Sequence, residues 1–417
     1  MPYLPTSTDW PRRARHALIG LLALLLAACA ASPPAAPPAP AAGPPPAAAA
    51  WPAPQAASSA ALTGPAVRLL PAQWADLPGW TQDDFAGVWQ AFRRNCSARL
   101  PAQMAAVCAR AATVPAADIS AQRAFFQAHF APWQIAPASG RDDPGLITGY
   151  YEPVLHGALQ RGWPYVVPVW GPPAELVPRT PGPDGISGGR VVWVDGQQRV
   201  VPFWSRAQIQ ADPAVQALLD RRVVVWLDSA VDALFLQVQG SGLVRLPDGQ
   251  ILRLSYAGTN GWPYKSVGRW LLDTGRVQGT VTMSVIRAWA RMHPDEVPEM
   301  LAANPRVVFF SAAIDTDPQR GPTGALGVPL TAMRSIAIDR NSIALGLPVW
   351  LSTQQPYDVS APAAQPLNRL VFAQDVGSAI TGAVRADLFT GTGEAAGELA
   401  GRMQWPGKMW VLLPTGH

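Results

Sequence analysis

The alternation of apolar and polar positions changes character several times along this chain. Ala17 to Ala28 is an unbroken apolar run behind Arg12, Arg13 and Arg15. Crossing a bilayer as a helix takes roughly 18 or more such residues, so the run predicts an export signal rather than a membrane span. From Ala30 to about Gly64 the chain is almost entirely Ala, Pro and Ser, which buries little and predicts an extended tether. Periodicity begins beyond it. TQDDFAGVWQAFRRNC spaces Phe85, Val88, Trp89 and Phe92 at i, i+3, i+4 and i+7, predicting an amphipathic helix that begins at Thr81 with an acidic first turn. VVWVDGQQRVVPFW and LVRLPDGQILRLSY each set Asp-Gly between β-branched or aromatic runs, the pattern of a hairpin. Residues 282–304 predict a helical pair, and RVVFFSA, PVWLST, RLVFAQ and KMWVLLP predict short strands. Residues 384–389 alternate with period two, sending Arg385, Asp387 and Phe389 to one face and Val384, Ala386 and Leu388 to the other. Many strands and few long helices argue against a βαβ nucleotide-binding fold.

Charge and cysteine usage narrow the setting. Loss of the leader removes three arginines and Asp9, lowering the formal charge from +4 to +2, and no basic face is clustered enough for a nucleic-acid partner. The leader ends in LAAC, which resembles a lipobox, so Cys29 is the expected lipidation site. Ala30 is not the aspartate of an inner-membrane retention signal, and the expected location is the outer membrane, lipid-anchored and facing the periplasm. In that oxidising compartment Cys96 and Cys108 are expected to form a disulfide, with two buried free thiols as the alternative. Two thiols without nearby histidines do not make a metal site.

The chain carries no HExxH, GxxxxGK[ST] or GxSxG, and His129, His156, His293 and His417 have no ligand spacing. No cofactor or metal is expected, and GTGEAAG, Gly391 to Gly397, reads as a loop. Carboxylates remain, and carboxylates working alone suit glycosidic bonds, whose leaving oxygen must be protonated. Asp375 stands where a strand runs into a glycine-bearing turn, a place for binding backbone amides. Asp387 stands beside an aromatic on the face turned away from the core, where desolvation raises a carboxyl pKa unless Arg385 pairs with it. Local pattern alone leaves open that both aspartates only cap turns. SYAGTNGWPYKSVGR, residues 255–269, gathers Trp262, Asn260 and Lys265 in a turn-rich segment of the kind that lines a groove.

TGYYEP (148–153), QVQGSG (237–242), YAGTNGWPYKSVGR (256–269), GALGVPLT (324–331), AIDR (337–340), AQDVGSAITG (373–382) and RADLF (385–389) together resemble the membrane-bound lytic murein transglycosylase A family. The resemblance implies a mainly β fold: a double-psi β-barrel domain, a smaller inserted β domain, a few helices and a glycan groove between the two domains. It implies a signal peptide at 1–28, a tether at 29–64, a barrel domain at 65–155 and 235–417 with a 3D-like region at 321–417, and an inserted domain at 156–234. It implies cleavage of the β-1,4 bond between N-acetylmuramic acid and N-acetylglucosamine to leave a 1,6-anhydromuramic end. The three aspartates of the 3D region fall on Asp339, Asp375 and Asp387, with Asp387 as the catalytic acid and then base and the other two supporting it. Thr148, Gly149, Tyr150, Gln237, Gln239, Asn260 and Lys265 match segments that border the glycan path. Implied partners are peptidoglycan glycan strands, the outer membrane through the lipid, and cell-wall synthesis or remodelling proteins. The alternatives are a non-catalytic peptidoglycan-binding lipoprotein and a hydrolytic glycosidase that uses Asp375 and Asp387 with water.

Overall fold

A computed structural model describes residues 62–63, 66–139, 145–357 and 363–415, and in it six strands close into a barrel. Gly145–Glu152 runs parallel to Arg385–Thr392, which lies antiparallel to Ser335–Ile338. That short strand is parallel to Ala364–Val376, which pairs antiparallel with Pro348–Pro356. Gln404–Pro414 joins Pro348–Pro356 and then pairs back onto Gly145–Glu152, closing the ring. The protein is thus mainly β, with the closed barrel and few helices that the resemblance implied. The leader and Cys29 lie outside the described residues, as does the expected tether except for Leu62–Thr63, which pairs with Arg68 and Leu69.

Strand alternation fills the barrel. Ile147, Ile336, Val349, Phe372, Leu388 and Val411 belong to one buried apolar cluster. The N-terminal helices add to it, with Phe92 in ring contact with both Phe126 and Phe372. Their first helix is Val88–Cys96, seven residues shorter at its start than the apolar spacing predicts. Phe85 and Gly87 take left-handed φ of 56° and 75°, which breaks the helical path. The expected acidic first turn serves elsewhere: Asp83 and Asp84 both accept hydrogen bonds from the Arg334 guanidinium. Cys96 is bonded to Cys108 of the next helix, Ala102–Arg110. Replacing both cysteines by Ala should lower unfolding stability by about 2–4 kcal/mol through the restored freedom of the unfolded chain. Urea unfolding reads that loss, and alkylation of the unreduced, denatured protein should label neither cysteine.

A second sheet of six strands occupies the excursion between Glu152 and Ser335. Its boundary differs from the expected one. Ser241–Arg245, Ile251–Thr259 and Val308–Ile314 were expected with the barrel, yet they pair with one another and onto Val154–Ala158. Leu243 is buried, and Val244, Leu252 and Leu254 join Leu155, Val225 and Phe310 in a core of their own, so burial draws this hairpin away from the barrel. The other expected hairpin is present as Gly188–Val194 and Gln197–Pro202, with Asp195 and Gly196 at φ of 51° and 75°, as a two-residue turn requires. The helical pair is Met283–Met292 and Val297–Ala302. The segment expected as a glycine loop instead runs into a helix, Glu394–Arg402, whose acidic first residue and basic last residue both suit the helix dipole.

Where the chain leaves the barrel and where it returns, one buried arginine ties the crossings together. Arg253 pairs with Glu152 at the end of the departing strand and with Asp315, at 2.8 Å, on the returning segment. Burial pushes the Glu152 carboxyl up, opposed by Arg253 and by the Thr392 hydroxyl that donates to it at 2.9 Å.

Candidate active site

Four residues lie abreast on four neighbouring barrel strands. Thr148 is opposite Asp387, Asp387 is opposite Ala337, and Ala337 is opposite Asp375. Adjacent strands are separated by ~4.8 Å, so the two aspartates stand about 10 Å apart at the backbone with only a methyl side chain between them. The alternation of RADLF produces this exposure: Ala386 and Leu388 are buried in the barrel core, while Asp387 is turned to the opposite face and half-buried. Tyr150, Leu330, Ala337, Ile380 and Phe389 form a separate apolar cluster on that face.

This apolar floor sets the electrostatics. Burial pushes the Asp387 carboxyl up to about 6; the Thr148 hydrogen bond and the Arg385 charge oppose the rise, and the Asp375 charge adds to it. Thr148 donates its hydroxyl to Asp387 Oδ1 at 2.6 Å. Arg385 does not form the ion pair weighed from the sequence; its guanidinium donates to the carbonyls of Leu146 and Ala386. Asp375 is also raised by burial, against the Val376 amide and its other partners. Its Oδ2 accepts from the Tyr150 hydroxyl at 2.9 Å, and its Oδ1 accepts from the Ala325 amide at 3.0 Å. Burial first, and Asp375 after it, hold the Tyr150 phenol well above its ordinary value, so it stays a donor. Asp339 accepts from the amides of Asn341 and Gly382 at 2.9 and 2.8 Å, fixing the far end of the loop that follows Asp375. The Asp387 carboxyl is thus raised toward neutral pH, while Asp375 and Asp339 accept hydrogen bonds from the loops around it.

The residues expected along a glycan path separate into three groups. Thr148 and Tyr150 belong to the aspartate row itself. Gly149 points to the other face of its strand, where a Cβ would come 2.8 Å from the Ala400 Cα. With Gln239, Tyr264 and Met283 it lines a cavity of about 230 Å³. Gln239 also accepts from the Tyr151 amide, and Gln237 accepts from Arg206 and from the Val308 amide, so both serve the fold. Asn260 is a correction to the groove reading. Fully buried, it donates to the carbonyls of Trp204 and Pro305 and accepts from the Val307 amide, which leaves nothing for a sugar. Trp262 is likewise engaged, its indole N–H donating to the Phe203 carbonyl at 2.7 Å. Asn260→Ala should cost about 1–3 kcal/mol for the backbone groups left unpaired, visible as a lowered melting temperature. An unchanged melting temperature with weakened glycan binding would return it to the groove. Lys265 presents an exposed charged side chain, as does Arg269, which pairs with Asp273 at 2.7 Å. The Ala325 amide went unnoticed in the sequence because a backbone donor in GALGVPLT carries no residue-type signal.

A barrel that holds one half-buried, proton-exchanging carboxylate, oriented by a hydroxyl and backed by a second carboxylate, defines an acid/base enzyme. Residues 146–311 match the MltA specific insert domain and residues 334–413 match the 3D domain. The membrane-bound lytic murein transglycosylase A of Escherichia coli strain K12 is 33% identical over 287 residues, covering 67% of this chain and 68% of that protein. The crystal structure of MltA from Neisseria gonorrhoeae superposes with a TM-score of 0.72 at 32% identity, over 87% of this chain and 96% of that one. E. coli MltA with bound chitohexaose superposes with a TM-score of 0.61 at 29% identity, over 79% and 90%. The chain belongs to the membrane-bound lytic murein transglycosylase A family.

Proposed function

We propose that this protein is a peptidoglycan lytic transglycosylase in which Asp387 acts first as acid and then as base. The observation that carries the reading is the row Thr148, Asp387, Ala337, Asp375, in which the Asp387 carboxyl is pushed up to about 6 and only the Ala337 methyl separates it from Asp375. Protonated Asp387 donates to the oxygen linking N-acetylmuramic acid to N-acetylglucosamine. The carboxylate so formed is held by the Thr148 hydroxyl. It then takes the proton of the muramic 6-hydroxyl as that oxygen attacks the anomeric carbon and closes the 1,6-anhydro ring. Intramolecular attack carries an effective molarity on the order of 10⁵ M or more in well-oriented cases, which favours it over water. Asp375 supports the site by fixing Tyr150 and the Ala325 loop, and Asp339 by fixing the loop at Gly382.

A hydrolytic route through both aspartates remains the competing chemistry. The ~10 Å backbone spacing exceeds the about 5–5.5 Å of a retaining pair but lies close to the roughly 6.5–9.5 Å of an inverting acid and base with water between them, so the products decide. Purified sacculi incubated with the enzyme and analysed by mass spectrometry should release muropeptides with 1,6-anhydromuramic ends; reducing ends would establish hydrolysis instead. Membrane attachment, in this reading, is through lipid on Cys29 in the outer membrane, with the catalytic body facing the periplasmic wall. Palmitate labelling lost on Cys29→Ala would support the anchor, and retained labelling would refute it.

A further inference from the structure

Beside the aspartate row stands a pair of cations that the proton chemistry does not use. Asn304, itself buried, accepts from the backbone amides of both Lys265 and Arg306 at 3.2 Å, which sets the two residues side by side. The Arg306 guanidinium spends two of its five N–H groups on neutral oxygens: Nε donates to the Trp262 carbonyl at 2.7 Å, and Nη1 donates to Ser378 Oγ at 2.8 Å. Ser378 follows Asp375 by three residues, so their Cα atoms are at most about 11 Å apart. Arg306 therefore reaches from the second sheet across to the loop that leaves the catalytic row. Among the described residues no carboxylate lies within ion-pair distance of Arg306 or Lys265. A half-buried guanidinium with spare donors and no counter-ion, on backbone that Asn304 ties to that of an exposed lysine, is arranged to receive an anion.

We infer that Arg306 and Lys265 form a carboxylate-binding subsite that reads the acidic substituent on O3 of the muramic sugar next to the scissile bond. This rests on the transglycosylase reading above and names what lets the groove tell murein from chitin, whose sugars are neutral. Two substrate groups carry the required carboxylate: the lactyl group itself when free, or the stem peptide when the lactyl carboxyl is amidated. Neutral chitin oligomers offer neither and should bind through sugar contacts alone.

The test measures binding on the Asp387→Asn background, so that it does not depend on turnover. The probes are peptide-bearing murein strands, strands stripped of peptide by an amidase, and chitohexaose. Lys265→Gln and Arg306→Gln should each weaken carboxylate-bearing ligands about tenfold, the effect of a lost charge-assisted hydrogen bond, and shift chitohexaose by less than about twofold. Arg306→Lys should recover part of the loss, and the difference between murein and chitohexaose should shrink with added salt. A loss confined to peptide-bearing strands assigns the stem, and an equal loss on stripped strands assigns the lactyl carboxylate. Equal loss on all three probes, or no loss on any, overturns the subsite. Failure of the wild-type enzyme to form anhydro ends would instead sink the transglycosylase reading, while the murein-to-chitohexaose difference would still report on the cations.

Discussion

Asp387→Asn is expected to lose a factor of at least ~10²–10⁴ in release of 1,6-anhydromuropeptides while still binding glycan, because the amide keeps the shape of the carboxyl but cannot exchange its proton. Two pH dependences accompany that loss. In the wild-type enzyme the acid form is depleted as pH rises through about 6, so the rate of the first step should fall above that value. Stability follows the same titration with a definite sign. The folded carboxyl is raised above the unfolded value of roughly 3.9, so the native state holds its proton more tightly and loses relative stability as pH rises between the two values. The Asn variant escapes that loss. It should melt higher than wild type at pH 8 and alike at pH 4, the reverse of what a purely structural aspartate would give. Asp375→Asn should lower both activity and melting temperature, since it loosens Tyr150 and the Ala325 loop. If Asp387→Asn released products normally while folded Asp375→Asn released none, the two roles would have to be exchanged.

Asp83→Asn should be strongly destabilising, by about 3–5 kcal/mol. The side chains of Asp83 and Arg334 are both 1% exposed and joined through both carboxylate oxygens at 2.8 Å. Burial alone would raise the Asp83 carboxyl; Arg334 and the amides of Leu370 and Phe85 outweigh it and hold the group below its ordinary value. Neutralising it leaves the buried guanidinium with only the exposed Asp84 carboxylate as counter-charge. The pair also predicts an acid sensitivity: its stabilisation is present above the unfolded carboxyl value of about 3.9 and fades as pH falls toward the lower folded value. Chemical unfolding from pH 7 to pH 3 should show wild type approaching Asp83→Asn as the pH drops. A constant gap would mean that the pair contributes nothing that titrates. Removing Arg334 as well should cost less than the sum of the single changes, because the two residues share one interaction.

What could be read from the sequence depended on how far apart the interacting residues lie. The Asp195-Gly196 hairpin was legible because a two-residue turn carries its own backbone requirement. The placement of Asp387 off the core was legible because period-two alternation within RADLF needs no help from the rest of the chain, whereas its role came from the family resemblance. The start of the Val88 helix was not, since its acidic residues answer to Arg334, about 250 positions later in the chain. Asn260 was read as a ligand contact from its polar character and glycine-rich company, and Gln237 from the family resemblance. Whether a buried amide faces a sugar or a neighbouring carbonyl is decided by packing, which pattern does not record. Arg306 opens a segment that reads simply as a strand, and its position across the groove depends on a loop from the other half of the barrel.

The hydrogen bond between Thr148 and Asp387 joins residues 239 positions apart. Each of its strands sits on a different side of the whole second sheet in chain order, so the acid acquires its environment only once strands from both sides of that sheet have paired. Such non-local pairing is slow to form compared with hairpins and helices. On refolding from denaturant, glycan cleavage should therefore appear later than the bulk of far-ultraviolet ellipticity. A chain interrupted between Ile314 and Arg385 would hold every strand of the second sheet and lack Asp387. The enzyme is in this sense self-timed, inert against the wall until its final strands have arrived.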